Sequence, residues 1–465
     1  MQRIIDFFRQ GYDLPFLILY AFLLHLVLFL YSNSYPVFLD ADRADDRLYK
    51  IENFNSLPGI AEKIEYLSAH GIIGDYYFQA LVYELFNENG LVLFQIFLAL
   101  FSYYALYKMA FLIFKRRIYS FFVVFLYMHF AHSLVFPHQL ITEAFFNPLI
   151  IISFYYLFRL LFEKNKIYYG VLASGLIGLA NLIRPVTVLF PLVVLAIVFV
   201  YKPKFQTKPL FAYTILNFIP LFLWMSFIFF QTGEFGMGRS GHDLGSNLYK
   251  RVAAISRVSD EMQQEKIKAI YLADAEEGRL KVLEYFDFAI HHPLAFIKHY
   301  VRDTFTFFFK TGINRLLVDF LKITPQSTEN PTKSWRKVFD KEGAWYTLTF
   351  FAKEYPILIA FNIVSSLLFL PLILLSVGGS IKILLDKGVS PIIKLSISLL
   401  LLLLAYLFLI SQVVEAIQSR HRSPAEFAII FLFVLSLWYI RGSINKNRAS
   451  FQELYSIKLK AAYLS

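Results

Sequence analysis

The recurrence of long apolar runs constrains this chain more than any other feature of its sequence. Ten runs of about the length that spans a bilayer, roughly 17–25 residues, follow one another along the chain. They cover residues 14–31, 91–114, 118–136, 144–162, 168–183, 186–201, 210–231, 356–381, 392–410 and 427–440. A backbone in lipid must satisfy its own hydrogen bonds, so each run predicts a helix. The expected fold is an all-α polytopic membrane protein with about ten transmembrane helices.

The composition favours the same class. Hydrophobic residues make up 57% of the 465 residues and charged residues only 17%, against about a quarter charged in soluble domains. The chain has no cysteine, which excludes disulfides and thiolate metal sites. The net charge of +11 is common in nucleic-acid-binding proteins, but here the basic residues stand in short loops between apolar runs. Such loops indicate a membrane protein.

The basic loops also predict the topology. Lysine and arginine are concentrated on one side of the predicted spans, at residues 115–117, 164–166, 202–208 and 441–448. That side is expected to be cytoplasmic by the positive-inside rule, which places both termini inside. Residues 32–90, on the other side, carry ten acids and four bases, in agreement with an outward position.

Two long segments are predicted to face outward and divide the chain. A first region, 1–231, holds the N-terminal spans and the outward segment 32–90. A large outward segment, 232–355, follows, and 356–465 holds the last spans and a short cytoplasmic tail. Within the second outward segment, residues 296–313 are aromatic with interspersed charges, a pattern typical of an amphipathic helix at the interface. The chain shows neither an internal repeat nor an obviously interrupted span.

The first outward segment begins with four carboxylates within seven positions, Asp40, Asp42, Asp45 and Asp46. Adjacent acids can divide their roles, one taking a proton while the other orients a substrate or an ion. A solvated acidic face is the alternative interpretation.

Three further polar sites occupy the predicted outer ends of helices. His138 and Glu143 flank the point where the chain re-enters the membrane, where an ionisable residue indicates function by default; a helix cap by Thr142 is the alternative. Arg184 precedes Pro185, which breaks the helix. Its guanidinium suits a phosphate, unless it reaches out to lipid headgroups.

The third of these sites is Arg420, His421 and Arg422, which precede the last span. Positive charge on the outside runs against the positive-inside trend, and an anionic lipid-phosphate substrate would explain it. Anchoring to headgroups is the alternative. The pair His291 and His292 has no metal-ligand spacing, and a helix that starts at Pro293 explains it better.

The order of these motifs resembles a known family. An acidic pair with a nearby tyrosine (Asp45, Asp46, Tyr49) is followed by Thr142-Glu143, then by Arg184-Pro185 after a glycine-rich approach, and then by Arg420-His421-Arg422-Ser423-Pro424. This order is similar to that of the GT-C glycosyltransferases, in particular bacterial members of the protein O-mannosyltransferase and lipid A aminoarabinose transferase superfamily. The chain departs from the pattern in having Asp46 where the family has glutamate. It also lacks the arginine-and-proline signature around residues 73–79.

The resemblance implies a sugar donor carried on polyprenyl phosphate and an outward active site in the bacterial cytoplasmic membrane. Asp45 would be the general base, with Asp40 and Asp42 as competing positions. Asp46 and Glu143 would orient the acceptor, and Tyr49 and His138 would belong to the substrate-binding residues. The carboxylates would also hold a divalent cation if the enzyme uses one. Arg184, Arg420 and Arg422 would bind the phosphate, and direct displacement would invert the anomeric centre. The acceptor would be a glycan, a lipid or a protein.

Other classes of membrane protein fit parts of the sequence. A transporter of lipid-linked sugars would be expected to have internal repeats and broken helices. An O-antigen polymerase or ligase would have an arginine-rich outer segment in place of the acidic one. A non-catalytic scaffold would leave the four outer polar sites without a reason. No Walker loop, dinucleotide fingerprint or zinc signature is present, so a nucleotide-fed cytoplasmic enzyme is not expected.

Overall fold

The computed structural model describes a helical chain. The described residues are 7–8, 10–34, 44–59, 62–63, 65–66, 73–163, 166–201, 207–232, 248, 251–252, 265, 285–309, 312–313, 316–317, 349–350, 353, 356–411 and 419–444. Within these ranges the secondary structure consists of helices and includes no strand, which confirms the all-α prediction.

The described part of the chain contains fourteen α-helices that we number in order. They are α1 (Asp13–Ser34), α2 (Ala44–Ser56), α3 (Ile73–Phe114), α4 (Arg117–Met128), α5 (Ala131–Val135), α6 (Glu143–Phe162), α7 (Ile167–Ile183), α8 (Phe190–Tyr201), α9 (Thr207–Leu216), α10 (Phe218–Thr232), α11 (Pro293–Phe309), α12 (Pro356–Leu385), α13 (Pro391–Ser411) and α14 (Glu426–Ile444). Short 3₁₀ turns at Phe136–His138, Pro185–Thr187 and Ser419–Ala425 join some of them.

Seven spans in the described residues are long and apolar enough to cross a membrane, and the count is eight if one bent pair is a single span. The chain therefore has the helices of a multi-pass membrane protein. Two of the ten predicted spans, 168–183 and 186–201, coincide with shorter apolar helices, α7 and the segment that ends with α8. The total of ten stays a prediction.

Helix α3 begins at an earlier residue than the sequence predicted. Residues 73–90 were expected to belong to an outward loop, but α3 begins at Ile73 and is interrupted at Asn87, whose φ is 59° and ψ −170°. The Asn87 Oδ1 atom accepts hydrogen bonds from the backbone N–H groups of Asn89 (3.0 Å) and Gly90 (3.3 Å). This is the pattern of an N-cap. A new helix therefore starts at Asn87, close to the predicted span start at 91.

The expectation of an unbroken third span is wrong. α4 ends at Met128, and the segment Ala131–His138 leaves it at an angle of 72°. The His129 ring lies at the break, with Nδ1 2.6 Å from the Phe125 carbonyl and Nε2 3.0 Å from the Tyr20 hydroxyl. The residues after the break, from Ala131 to Glu143, are mostly buried. Non-helical backbone at such a place is tolerated because protein, not lipid, surrounds it.

Helix α6 lies at the centre of the bundle. Most of its residues are buried, and α3 and α7 pack along it. Close packing of α7 depends on glycine: a Cβ atom at Gly170 would lie 2.5 Å from the Pro209 carbonyl oxygen, and one at Gly178 would lie 2.9 Å from Pro220. Small residues allow helices to approach in this way in membranes. The glycine-rich stretch before Arg184 therefore brings α7 against α9 and α10.

Candidate functional site

A small cavity of about 20 Å³, enough for roughly one water molecule, lies beside the broken span. Its polar lining comes from three parts of the chain, namely α3, the segment after the break, and the start of α6. These residues are Ser102, Tyr103, His132, Ser133, Glu143 and Asn147. Aromatic and apolar side chains, including Tyr127 and Phe136, complete the wall. Ionisable groups cost free energy at this depth and indicate function by default.

The ion pair between Glu143 and Arg184 borders this cavity. The Arg184 Nη1 atom donates to Glu143 Oε1 at 2.6 Å, although the two residues are 41 positions apart. Pro185 cannot continue α7, and the Arg184 N–H closes the helix on the Ala180 carbonyl at 2.8 Å. Glu143 stands in the first turn of α6, where the helix dipole favours an acid. The local sequence therefore sets both charges at helix ends that meet.

Arg184 keeps most of its donor capacity. Its side chain is 19% exposed, whereas that of Glu143 is 3% exposed. Apart from Nη1, its guanidinium donates to no other group in the described part of the chain, and the Phe146 ring lies 6.0 Å from its central carbon. A guanidinium that is held at one edge and open at the other suits a planar or tetrahedral anion.

Thr142 does not cap α6 as the alternative interpretation proposed. It makes no capping hydrogen bond to the helix. Its Oγ1 atom instead donates to Glu143 Oε2 at 2.9 Å. The carboxylate of Glu143 is therefore held by Thr142 on one oxygen and by Arg184 on the other.

A second charged cluster, formed by His132, Arg422 and Glu426, is fully buried. Glu426 Oε1 accepts from the His132 ring nitrogen Nδ1 at 2.8 Å and from Arg422 Nη2 at 3.1 Å. Arg422 also donates to the Phe307 carbonyl and lies 4.6 Å from the centre of the Phe369 ring. Arg422 is 0% exposed, so the alternative interpretation, anchoring to lipid headgroups, does not hold for this side chain. Its charge is explained by Glu426.

The two charged pairs are joined across the bundle. The Asn147 amide, one turn into α6 from Glu143, donates to the Ser423 hydroxyl at 3.1 Å. Asn147 Oδ1 has no hydrogen-bond partner among the described residues. Gly312 comes so close to His132 that a Cβ atom there would lie 2.5 Å from Nε2. Gly312, in the second outward segment, thus lies against His132. Asn147 lines the cavity, and its amide oxygen is available there.

A chain of buried hydrogen bonds connects the cavity with α1. His138 Nε2 lies 3.0 Å from His25 Nδ1, and His25 Nε2 lies 3.1 Å from the Tyr103 hydroxyl. The Tyr103 hydroxyl is also 2.8 Å from Ser133 Oγ. His138, predicted to contact the substrate, is thus fully buried and hydrogen-bonded to His25. It ties the 3₁₀ turn after the break to the first helix.

The contacts of the predicted catalytic acids lie outside the described residues. Asp45 and Asp46 occupy the first turn of α2, and their side chains lie outside the described residues, as do Asp40, Asp42 and the side chain of Arg420. Tyr49 in α2 is 64% exposed. Ile51 and Phe54 of α2 pack with Ala80 of α3. α2 therefore sits on the part of α3 that precedes Asn87.

The sequence interpretation missed His25, His132, Asn147 and Glu426. Three of them are ionisable side chains at or within apolar runs, a signal of function or pairing that the sequence already contained. Glu426 stands one residue before the predicted span 427–440, and His132 lies inside 118–136. Asn147 carried no such signal. Among the described residues, no group of three or more histidine, aspartate and glutamate side chains has the arrangement of a metal site.

No protein-family model, curated protein or solved structure matches this chain.

Proposed function

We propose that this protein is a membrane glycosyltransferase that moves a sugar from a polyprenyl-phosphate carrier to an acceptor at the outer face of a bacterial cytoplasmic membrane. One observation carries the proposal. Thr142-Glu143, Arg184-Pro185 and Arg422-Ser423 are distant in the sequence, but the Glu143–Arg184 and Asn147–Ser423 hydrogen bonds join all three to two residues, Glu143 and Asn147, that line one small cavity. These are three of the four motifs on which the family resemblance rests.

Arg184 is the proposed ligand of the carrier phosphate. Its open edge would donate hydrogen bonds to a phosphate oxygen while Glu143 holds the opposite edge in place. As the bond between the sugar and the phosphate breaks, negative charge grows on the leaving phosphate. A fixed cation stabilises that charge more in the transition state than in the ground state. Arg420 is the second candidate, whereas the donors of Arg422 are engaged by Glu426 and Phe307.

Asp45 is the proposed general base. It would remove the proton of the acceptor hydroxyl as that oxygen attacks the anomeric carbon from the face opposite the phosphate, so the product would have the inverted configuration. Asp46 and Glu143 would orient the acceptor or hold a divalent cation. Helix α2 packs on the part of α3 that precedes Asn87. Asp45 would therefore approach the cavity from the outward side.

A lipid-linked sugar transporter is the second candidate, and the broken span favours it. Transporters commonly bind their substrates where membrane helices are interrupted, and the 72° break between α4 and α5 is such a place. The buried ionisable residues His25, His132 and Glu426 also suit a transport path. The transferase is preferred because the motif order and the outward acids have no role in transport.

The two functions are separated by reconstitution. The purified protein would be placed in liposomes with a radiolabelled polyprenyl-phosphate sugar and an envelope extract as the source of acceptor. The transferase predicts label in a new product, and loss of that product in Asp45→Asn. Asp75→Asn, which changes an acid in the first turn of α3, is the control and should retain activity. Movement of intact donor across the bilayer without a new product would favour the transporter instead.

A further inference from the structure

The outward helix α11 buries ionisable side chains and exposes apolar ones, which is the reverse of a helix in a soluble protein. The side chains that it buries include His299 and Asp303, at 7% and 3% exposure, together with Phe296 and Phe307. Asp303 forms an ion pair with Arg251, which is fully buried. The buried acid of α11 is therefore already paired on the inner side of the helix.

The opposite face exposes a continuous apolar stripe. It begins in the preceding helical residues 285–291 and runs onto α11 at spacings of three and four positions, so its members share one side of the helix. The members are Phe286 (58% exposed), Ile290 (75%), Leu294 (79%), Ile297 (57%) and Val301 (64%). The His292 and Phe296 N–H groups bond to the Phe288 and His292 carbonyls at 2.9 and 3.2 Å. The stripe therefore continues across Pro293 without a break.

The position of α11 in the fold points to lipid as the partner of this stripe. At its C-terminal end Phe307 and Phe308 pack on Phe408, with ring centres 5.3 and 5.7 Å apart. Phe408 is three residues from the end of α13, and Arg422, which holds the Phe307 carbonyl, precedes α14. The helix therefore leaves the bundle where two membrane spans end.

The charges beside the stripe match a membrane surface. Lys298 and Arg302 are exposed on the helix next to it. Cationic side chains beside an apolar stripe are typical of helices that lie in the interface, where the charges meet anionic headgroups. Five large apolar side chains in water would be an unusually large exposed patch.

We propose that the stripe from Phe286 to Val301 lies on the outer leaflet of the bilayer, with Leu294, Ile297 and Val301 at the hydrocarbon boundary and Lys298 and Arg302 at anionic headgroups. Helix α11 differs from an ordinary amphipathic helix because its other face is held to the protein by the buried ion pair of Asp303 and Arg251. The outward segment would thus be held at a set height above the spans. The proposal is independent of the enzymatic function.

The absence of cysteine from the chain makes a site-specific test direct. Single cysteines at Leu294, Ile297 and Val301 would each carry a nitroxide label in the full-length protein, reconstituted in liposomes of phosphatidylethanolamine and phosphatidylglycerol. Ala295→Cys is the control, because Ala295 is also exposed and lies roughly 100° round the helix axis from Leu294. Collision rates with oxygen, which enters lipid, and with a nickel chelate, which stays in water, would be measured for each label.

The three stripe labels are expected to collide preferentially with oxygen, and the Ala295 label preferentially with the nickel chelate. Equal access of the nickel chelate to all four labels would place the stripe in water and overturn the proposal. Stripe labels that neither reagent reaches would also overturn it, since a second copy of the chain or another protein would then cover this face.

Discussion

At the scale of single residues, the two buried or half-buried arginines of the site differ in how many partners their guanidinium groups have. Arg422 and Arg184 carry the same guanidinium group, yet their surroundings differ. Arg422 is 0% exposed and is bound by Glu426 and the Phe307 carbonyl, whereas Arg184 is bound by Glu143 at one edge only. A side chain with unused donors can bind a ligand without giving up its structural contacts. For this reason we propose Arg184, and not Arg422, as the ligand of the carrier phosphate.

Glu426→Gln is expected to destabilise the protein strongly. It would leave Arg422 as a buried cation without a counter-charge, and breaking a buried pair costs about 3–5 kcal/mol. The thermal midpoint in detergent should fall, and it should recover in part in the double variant Glu426→Gln/Arg422→Met, which removes the isolated charge. A midpoint equal to that of the wild type in the single variant would show that Glu426 does not neutralise Arg422.

His299 is expected to make the outward segment sensitive to acid. Burial, together with the charges of Arg251 and Arg302, lowers the pKa of His299 from 6.5 to about 4 against the opposing charge of Asp303. The folded state thus holds His299 neutral, whereas the unfolded chain takes up a proton below about pH 6.5. The stability contributed by the neutral ring is complete above pH 6.5 and is lost as the pH falls toward 4.

The measurement is the pH dependence of the thermal midpoint between pH 7 and 4, compared with that of His299→Asn. Asparagine retains polar contacts but does not titrate in this range, so the variant should show a flatter profile. Identical slopes in the two proteins would contradict the assignment.

At the scale of helices, the apolar runs predicted where helices form but not where they break. Runs such as 144–162 and 392–410 coincide with α6 and α13 within a few residues, because length and hydropathy alone specify a helix in lipid. The break after Met128 could not be predicted in this way. Residues 127–131 contain neither glycine nor proline, and the bend depends on side chains from elsewhere, among them Tyr20 bound to His129.

For the candidate site, the sequence likewise indicated where single residues lie but not which residues contact each other. The positions of Glu143 and Arg184 at helix ends were visible in the sequence, but their mutual contact depends on how α6 and α7 pack. The cluster of His132 with Glu426 joins residues 294 positions apart. Such a contact is set by tertiary structure, and no local pattern in the sequence indicates it.

The interruption of α3 at Asn87 provides a test at this scale. The backbone there has φ of 59° and ψ of −170°, a region that is costly for residues other than glycine. Asn87→Ala would keep the strain and lose the cap, at an expected cost of about 0.5–2 kcal/mol. Asn87→Gly would lose the cap but remove the strain.

Thermal midpoints should therefore rank Asn87→Ala below Asn87→Gly, with the glycine variant near the wild type. The reverse order would mean that Asn87 does not adopt this backbone conformation.

At the scale of the whole molecule, charged pairs of the described residues lie at the ends of helices. The Asp13–Arg117 pair holds the N-terminal ends of α1 and α4 together at one end of the bundle. The cavity lies toward the other end, with Glu143, Arg184 and Arg422 at the helix ends there. A substrate on a lipid carrier would reach such a cavity from the outer leaflet, because its tail could remain among the helices. The outward stripe of α11 would lie on the same side.

The most direct test compares two arginines in the sugar-transfer assay. Arg184 and Arg159 each form a 2.6 Å ion pair with a glutamate, Arg184 with Glu143 at one end of α6 and Arg159 with Glu163 at the other. Sugar transfer from the polyprenyl-phosphate donor should fall by about a hundredfold or more in Arg184→Ala, as expected when a group that stabilises transition-state charge is removed. It should remain near the wild-type rate in Arg159→Ala. Equal rates in both variants, with both proteins folded, would contradict the proposal that the outward cavity binds the carrier phosphate.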